Sequence, residues 1–455
     1  MNNKQPNLIE DSVSQLFFRI AVPASVGTVF MTLYNVVDTY FAGKISPEAL
    51  AALAQTFPVY FIIIAMGVGL SIGTTSLISN SLGEGKQEEA SYFLAQSIIL
   101  AIITAIIVTI LGIYLAPSII LFMNDSYETM KLSMEYLNII FAGSIFIFIQ
   151  MAVNSSLSAI GDTKTNRNVL IVSFVLNIFL NPLLIFGYGI IPPMGMKGIA
   201  ISTIISQGLG TAYIIYKATL TDYSNYLYIK CFRPKVKILI NLLKQGIPAA
   251  IGMTMISVGV FIILFFISQY GDLALAGYGT AIRYEQLYLL PVLGLNTAVL
   301  SMVGQNFGAK KMLRINLIYN KALTFGCIFM FFSGFIIFFT AEFAVGLFTK
   351  NPDVIYYGTK YLQITALMEP VYPIFFISNA LIQGLKKANI VMFLTIGRMV
   401  IMPLIVLIYL IHYLNSSFEF VFWGLLGINW IFGIFVFLLT KYIIRKETKK
   451  NLLNA

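Results

Sequence analysis

Residues 20–27 read IAVPASVG, and residues 245–252, QGIPAAIG, repeat that pattern 225 positions later. Val22-Pro23-Ala24 returns as Ile247-Pro248-Ala249 and Gly27 as Gly252. The same offset carries Ala51 to Ala276, Gly69-Leu70 to Gly294-Leu295, Gly83 to Gly308 and Lys86 to Lys311. Later matches drift slightly, Gly161 to Gly384 and Pro182-Leu183 to Pro403-Leu404, as altered loop lengths produce. A register held over more than sixty residues marks an internal duplication.

Each copy consists of long apolar runs separated by polar or Gly/Pro punctuation. The 455 residues are 58% hydrophobic and 11% charged, with a mean hydropathy of +0.86. A soluble domain carries about 25% charged residues, so a soluble globular enzyme is excluded and the bilayer is the solvent. An aromatic content of 14% with so little charge also excludes a disordered chain. A spanning helix needs about 20 apolar residues. The runs predict spans near 16–42, 48–80, 91–116, 130–160, 168–188 and 196–217, then 238–269, 278–306, 317–341, 355–383, 388–412 and 418–442.

The expected fold is therefore all-α: twelve transmembrane helices in two six-helix bundles. An even number of spans per copy gives both bundles one orientation, related by a pseudo-two-fold axis along the membrane normal. The expected organisation is an N-terminal lobe over 1–218, a cytoplasmic linker over 219–237, a C-terminal lobe over 238–442 and a basic cytoplasmic tail over 443–455. With the N-terminus inside, 21 of the 29 basic residues fall on cytoplasmic segments, 6 outside and 2, Arg19 and Arg398, within spans. That asymmetry predicts both termini in the cytoplasm and accounts for the formal charge of +10 without a nucleic-acid partner.

Other chemistry finds little support. The polar start MNNKQPNLIEDSVSQ lacks a basic segment leading into a short apolar one, so no cleaved signal peptide is expected. Cys231 and Cys327 fall in a charged loop and an apolar span, which argues against a disulfide or a metal cage. The one histidine, His412, is placed at an external helix end, and one imidazole makes no clustered metal site. No Gly-x-x-x-x-Gly-Lys-Ser/Thr loop is present, so ATP-driven transport has no motif. Gly67, Gly69, Gly73 and Gly294 instead permit close helix packing or local unwinding. No cofactor is expected.

A few charges lie where the membrane resists them. Asp38 falls late in the first span, where an ionised acid costs roughly 2.5–3.5 kcal/mol on insertion scales. Arg19 is nineteen residues away, roughly 28 Å along a helix, and Lys44 can extend to the interface. An acid with no cationic partner in low dielectric is one whose charge a proton can switch. Tyr34, Asn35 and Asp38 are spaced to share one helix face, and Asn177 and Asn181 another. These five groups are candidates for one cation-coupling and substrate cavity, against the plainer reading that they tie helices together. Pro23 removes one backbone hydrogen bond from the first span and marks either a static kink or a hinge.

In the second copy, Glu369 falls midway along the tenth span and Arg398 roughly 15 Å into the eleventh. Equal depth is compatible with an ion pair that neutralises this half; the rival reading makes Glu369 a second cation site or the anchor of a cationic substrate. Arg283 and Glu285 lie near the external end of the eighth span, where they read either as an interfacial charge pair or as functional residues.

Taken together, several stretches resemble the multidrug and toxic compound extrusion (MATE) family of cation-coupled antiporters. They are Leu33-Tyr34-Asn35-Val36-Val37-Asp38-Thr39 with Gly43, the Gly69–Gly83 stretch, Asn177-Ile178-Phe179-Leu180-Asn181-Pro182, Ala200-Ile201-Ser202-Thr203, Arg283-Tyr284-Glu285-Gln286 and Val303-Gly304-Gln305-Asn306-Phe307-Gly308-Ala309. The apolar seventh span resembles the DinF-like branch. The resemblance adds Thr203 to the coupling residues and implies that Pro23 bends in step with protonation of Asp38. It also exposes a departure: Asn181 stands where members often carry Asp before the fifth-span proline. The resemblance implies a multi-pass transporter of the bacterial-type inner or plasma membrane that exports amphipathic, often cationic compounds in exchange for protons; a monomer is expected because both halves of the cavity come from one chain. Sodium coupling, with Na⁺ at Asp38, Asn177 and Asn181, is the nearest alternative. A flippase for lipid-linked saccharides calls for a deep basic cavity that the first copy does not supply, and a channel for a charged filter ring.

Overall fold

A computed structural model describes residues 6–123 and 127–453. Among these residues, eleven helices are long and apolar enough to cross a membrane, and a bent pair completes twelve spans. The first copy contributes α1 (Val13–Ile45), α2 (Pro47–Gly83), α3 (Gln87–Met123), α4 (Tyr127–Ala159), α5 (Lys164–Phe186) and α6 (Met196–Thr219). The second contributes α7 (Val236–Ile267), α8 (Asp272–Gly308), α9 (Met312–Gly346), α10 (Pro352–Thr365), α11 (Tyr372–Gly384), α12 (Ala388–Ile396), α13 (Met402–Ile408) and α14 (Phe418–Leu453). The expected all-helical, twelve-span membrane fold is what the chain adopts.

Local sequence explains the boundaries. Ser46 accepts a hydrogen bond from the Ala49 amide at 3.1 Å and Pro47 opens α2; Asn351 and Pro352 do the same for α10. Gly85 and Gly161 close the α2–α3 and α4–α5 turns with φ of 74° and 80°. The positions 225 residues later, Lys310 and Lys386, adopt φ of 58° and 60° although neither is glycine. Their turns are bonded alike, Lys86 and Lys311 donating to Ser81 and Asn306, and Asp162 and Lys387 to Leu157 and Ile382. The backbone thus keeps the offset of 225 through residue 386, where the residue match of Gly161 with Gly384 had drifted.

Two breaks interrupt the later spans. The α10 and α11 segments meet at 43° across a gap that carries a short 3-10 turn at Glu369–Val371. The eleventh span is wound in π geometry at Gly397–Ile401, between α12 and α13, and again at Tyr409–Tyr413.

The chain divides into two compact units, and the division is not the one expected at 218 and 238. Among the described residues, one unit holds Pro6 and 26–250, the other 7–25 and 251–453. The cuts fall 225 residues apart, inside α1 and α7. Each helix start is received at a glycine. In the first unit, a Cβ on Gly69 of α2 meets the Gly246 carbonyl of α7 at 2.5 Å; in the second, one on Gly294 of α8 meets the Ser25 amide of α1 at 3.0 Å and crowds the Ala21 carbonyl. The segment before α1 belongs to the second unit as well, where buried Asn306 donates to the Leu8 carbonyl at 2.9 Å.

In the first unit, α4 packs on α2, α3 and α6. In the second, α8 packs on α9, α10 and α11. The expected linker forms 3-10 turns at Asp222–Tyr226 and Ile229–Phe232. Buried Gln96 of α3 holds it, donating to the carbonyls of Cys231 and Arg233 at 2.7 and 2.8 Å and accepting from the Lys235 amide at 2.8 Å. The expected tail is ordered too: α14 continues to Leu453, with Glu447 paired to Lys387 at 2.6 Å.

Candidate functional site

Asp38 is 5% exposed, inside the first unit, and three helices converge on it. Asn177 and Asn181, one turn apart on α5, each donate an amide hydrogen to Asp38 Oδ1 at 2.9 Å. Asn181 also donates to Asn177 Oδ1 at 3.2 Å, and Asn177 lies 3.4 Å from Ser202 Oγ. From α6, the Thr203 hydroxyl sits 3.4 Å from Asp38 Oδ2 while donating to the Ile199 carbonyl at 3.1 Å. Both asparagines are fully buried and Thr203 is 2% exposed. Pro182 follows Asn181 and supplies no amide hydrogen to its own turn.

The remaining expected residues divide. Tyr34 is buried one turn before Asp38, and its hydroxyl has no hydrogen-bond partner among the described residues. Asn35 is exposed and its side chain lies outside the hydrogen-bonded cluster; its carbonyl accepts from the Thr39 hydroxyl at 2.9 Å. Pro23 is buried within an uninterrupted α1, two residues before the boundary between units. Ser202 is an addition to the cluster; its signal was its place beside Thr203 in the sixth span.

The second unit corrects two expectations. Glu369 and Arg398 form no ion pair: both Glu369 carboxylate oxygens lack a hydrogen-bond partner among the described residues, and Arg398 Nε donates to Asn429 at 3.0 Å. Shared depth left their bearings around the helices free, and Glu369 lies in the 3-10 turn at the α10–α11 break. Nor is Glu285 an interfacial partner of Arg283. It is 3% exposed and accepts from the hydroxyls of Tyr361 and Tyr372 at 2.5 and 2.9 Å, whereas Arg283 is exposed. Residues two apart on a helix point about 200° from each other.

A buried carboxylate ringed by amides and a hydroxyl inside a membrane span marks a candidate functional site. The family model MatE matches residues 23–183 and 248–409, and the chain belongs to this family of multidrug and toxic compound extrusion transporters. It is 28% identical to the "Probable multidrug resistance protein NorM" of Thermotoga maritima over 77% of this chain and 75% of that one. It is 26% identical to the multidrug export protein MepA of Staphylococcus aureus, over 94% and 92%. A solved MOP superfamily transporter from Pyrococcus furiosus superposes with a TM-score of 0.90 at 25% identity, covering 98% of this chain and 99% of that one.

Proposed function

We propose that this protein is a monomeric efflux antiporter that exports amphipathic, often cationic compounds by exchange with protons at Asp38, with both termini in the cytoplasm. The supporting observation is the convergence of Asn177, Asn181 and Thr203 on one buried carboxylate. Two amide donors on one oxygen hold the charged carboxylate in low dielectric, and a proton arriving on Asp38 weakens that hold, so occupancy of the site is tied to the packing of α1 on α5 and α6. Pro23 is the proposed point at which α1 yields. The names of the NorM and MepA relatives support drug-like substrates.

The test is uptake of a fluorescent lipophilic cation into proteoliposomes under an imposed pH gradient without sodium. Movement by the wild type and none by folded Asp38→Asn supports the proposal; movement only when a sodium gradient replaces the proton gradient overturns the choice of ion.

A second reading concerns Glu369, whose carboxylate oxygens stand buried without a hydrogen-bond partner among the described residues. Such a group is a candidate cation anchor in the second unit. Glu369→Gln that leaves drug affinity and transport unchanged rejects that role.

A further inference from the structure

The second unit carries a partly open cavity of about 230 Å³ whose lining residues all belong to that unit. Its walls are mostly apolar, with Ile256, Val260, Ile263, Leu289 and Met399 along one side and Phe375 and Phe432 along another. Among this apolar surface stands one full cation, Arg398, carried on the π-wound turn Gly397–Ile401. Such turns widen a helix locally and recur at functional sites.

The guanidinium has one hydrogen-bond partner, and the Glu285 carboxylate on the same cavity wall attracts it without forming an ion pair with it. Nε donates to Asn429 Oδ1 at 3.0 Å, and Asn429 is itself fixed by donating to the Leu425 carbonyl at 2.8 Å. Phe375 lies under the guanidinium, 3.7 Å from ring centroid to Cζ, with the Tyr372 ring at 5.4 Å. The two terminal nitrogens have no acceptor among the described residues, and Arg398 makes no ion pair there. The titratable groups on the surrounding helices are Glu285 and the tyrosines 278, 361 and 372. Glu285 has both oxygens engaged by Tyr361 and Tyr372. Two terminal nitrogens with four unspent N–H donors in a fixed planar fork, lining a mostly apolar cavity, match the two oxygens of a carboxylate.

We propose that this cavity binds lipophilic carboxylates, with the carboxylate bidentate on the terminal nitrogens of Arg398 and the apolar body against the aliphatic wall. The volume fits a single ring with a short chain rather than a full drug-sized ligand. This ligand class is opposite in charge to that proposed for the first unit, and the site shares no residue with the Asp38 cluster.

The experiment compares three probes with one tail, 4-butylbenzoate, its methyl ester and 4-butylbenzyl-trimethylammonium. Binding is measured by equilibrium dialysis against the full chain in neutral phosphatidylcholine nanodiscs, with empty nanodiscs subtracted. The benzoate is expected to bind at least about tenfold more tightly than the ester, since charge-assisted bonds are worth 1.5–3 kcal/mol. Arg398→Met removes that preference, Arg398→Lys retains part of it, and Asp38→Asn leaves it intact, which separates this site from the coupling site. Equal binding of the three probes, tightest binding of the ammonium, or a preference that survives Arg398→Met overturns the proposal. If Arg398→Met does not fold, the wild-type comparison and Arg398→Lys decide: an unchanged preference in the lysine variant overturns the bidentate contact.

Discussion

The Asn181 amide donates to Asp38 at 2.9 Å across 143 positions of sequence, and it does so from the turn that Pro182 loosens. It also donates to Asn177, whose own amide serves the same Asp38 oxygen, so the two asparagines act as one unit. Coupled residues of this kind give non-additive effects.

The first prediction follows from that unit. Asn181→Ala and Asn177→Ala each lower gradient-driven transport severalfold, and the double variant costs less than the product of the two. Initial rates in proteoliposomes, at matched reconstitution, measure this. Independent, multiplicative losses contradict a shared site.

The paired glycine contacts yield a packing prediction. Gly69→Val and Gly294→Val force helix starts away from α2 and α8 and destabilise the protein by about 1–3 kcal/mol each. At Gly279, where an added Cβ meets nothing within 4 Å, Gly279→Ala stays within about 0.5 kcal/mol. Thermal unfolding in detergent reads all three, and a stable Gly294→Val shows that the approach is slack.

Lys310 offers a gain rather than a loss. It is exposed and holds φ of 58° where its counterpart in the first copy is Gly85. The left-handed region costs a side-chain-bearing residue roughly 1–2 kcal/mol, partly offset by the freedom glycine has when unfolded. Lys310→Gly is therefore expected to raise the unfolding midpoint slightly; a fall shows that the lysine side chain contributes more than its backbone strain.

Removing the tyrosine hydroxyls around Glu285 tests the buried acid. Tyr361→Phe and Tyr372→Phe each cost about 1–3 kcal/mol, because a buried carboxylate oxygen loses its donor. Unfolding midpoints that match the wild type count against both bonds.

The sequence made the Asp38 cluster legible because polar residues in apolar spans are few, and those one turn apart, Asn177 and Asn181, share a face. Asn35 failed by a finer angle: Tyr34, four residues before Asp38, follows it around the helix more closely than Asn35, three before. Glu285 was misplaced because its neighbour in sequence, Arg283, occupies the far side of the same helix. The Glu369–Arg398 expectation used depth alone, and the bend at 369 and the π turn at 398 alter direction without altering depth. Nor does an apolar run disclose where it passes from one unit to the other, since both sides of the cut are equally apolar.

That passage has a consequence for how the protein is made. The first unit needs residues up to 250, so it cannot close until the start of the second copy has left the ribosome. Residues 7–25, synthesised at the outset, belong with partners such as Pro291, Gly294 and Asn306 and wait for more than half of the remaining chain. A gene cut at the seam of the duplication thus encodes two fragments, each holding the opening of the other's fold and lacking its own.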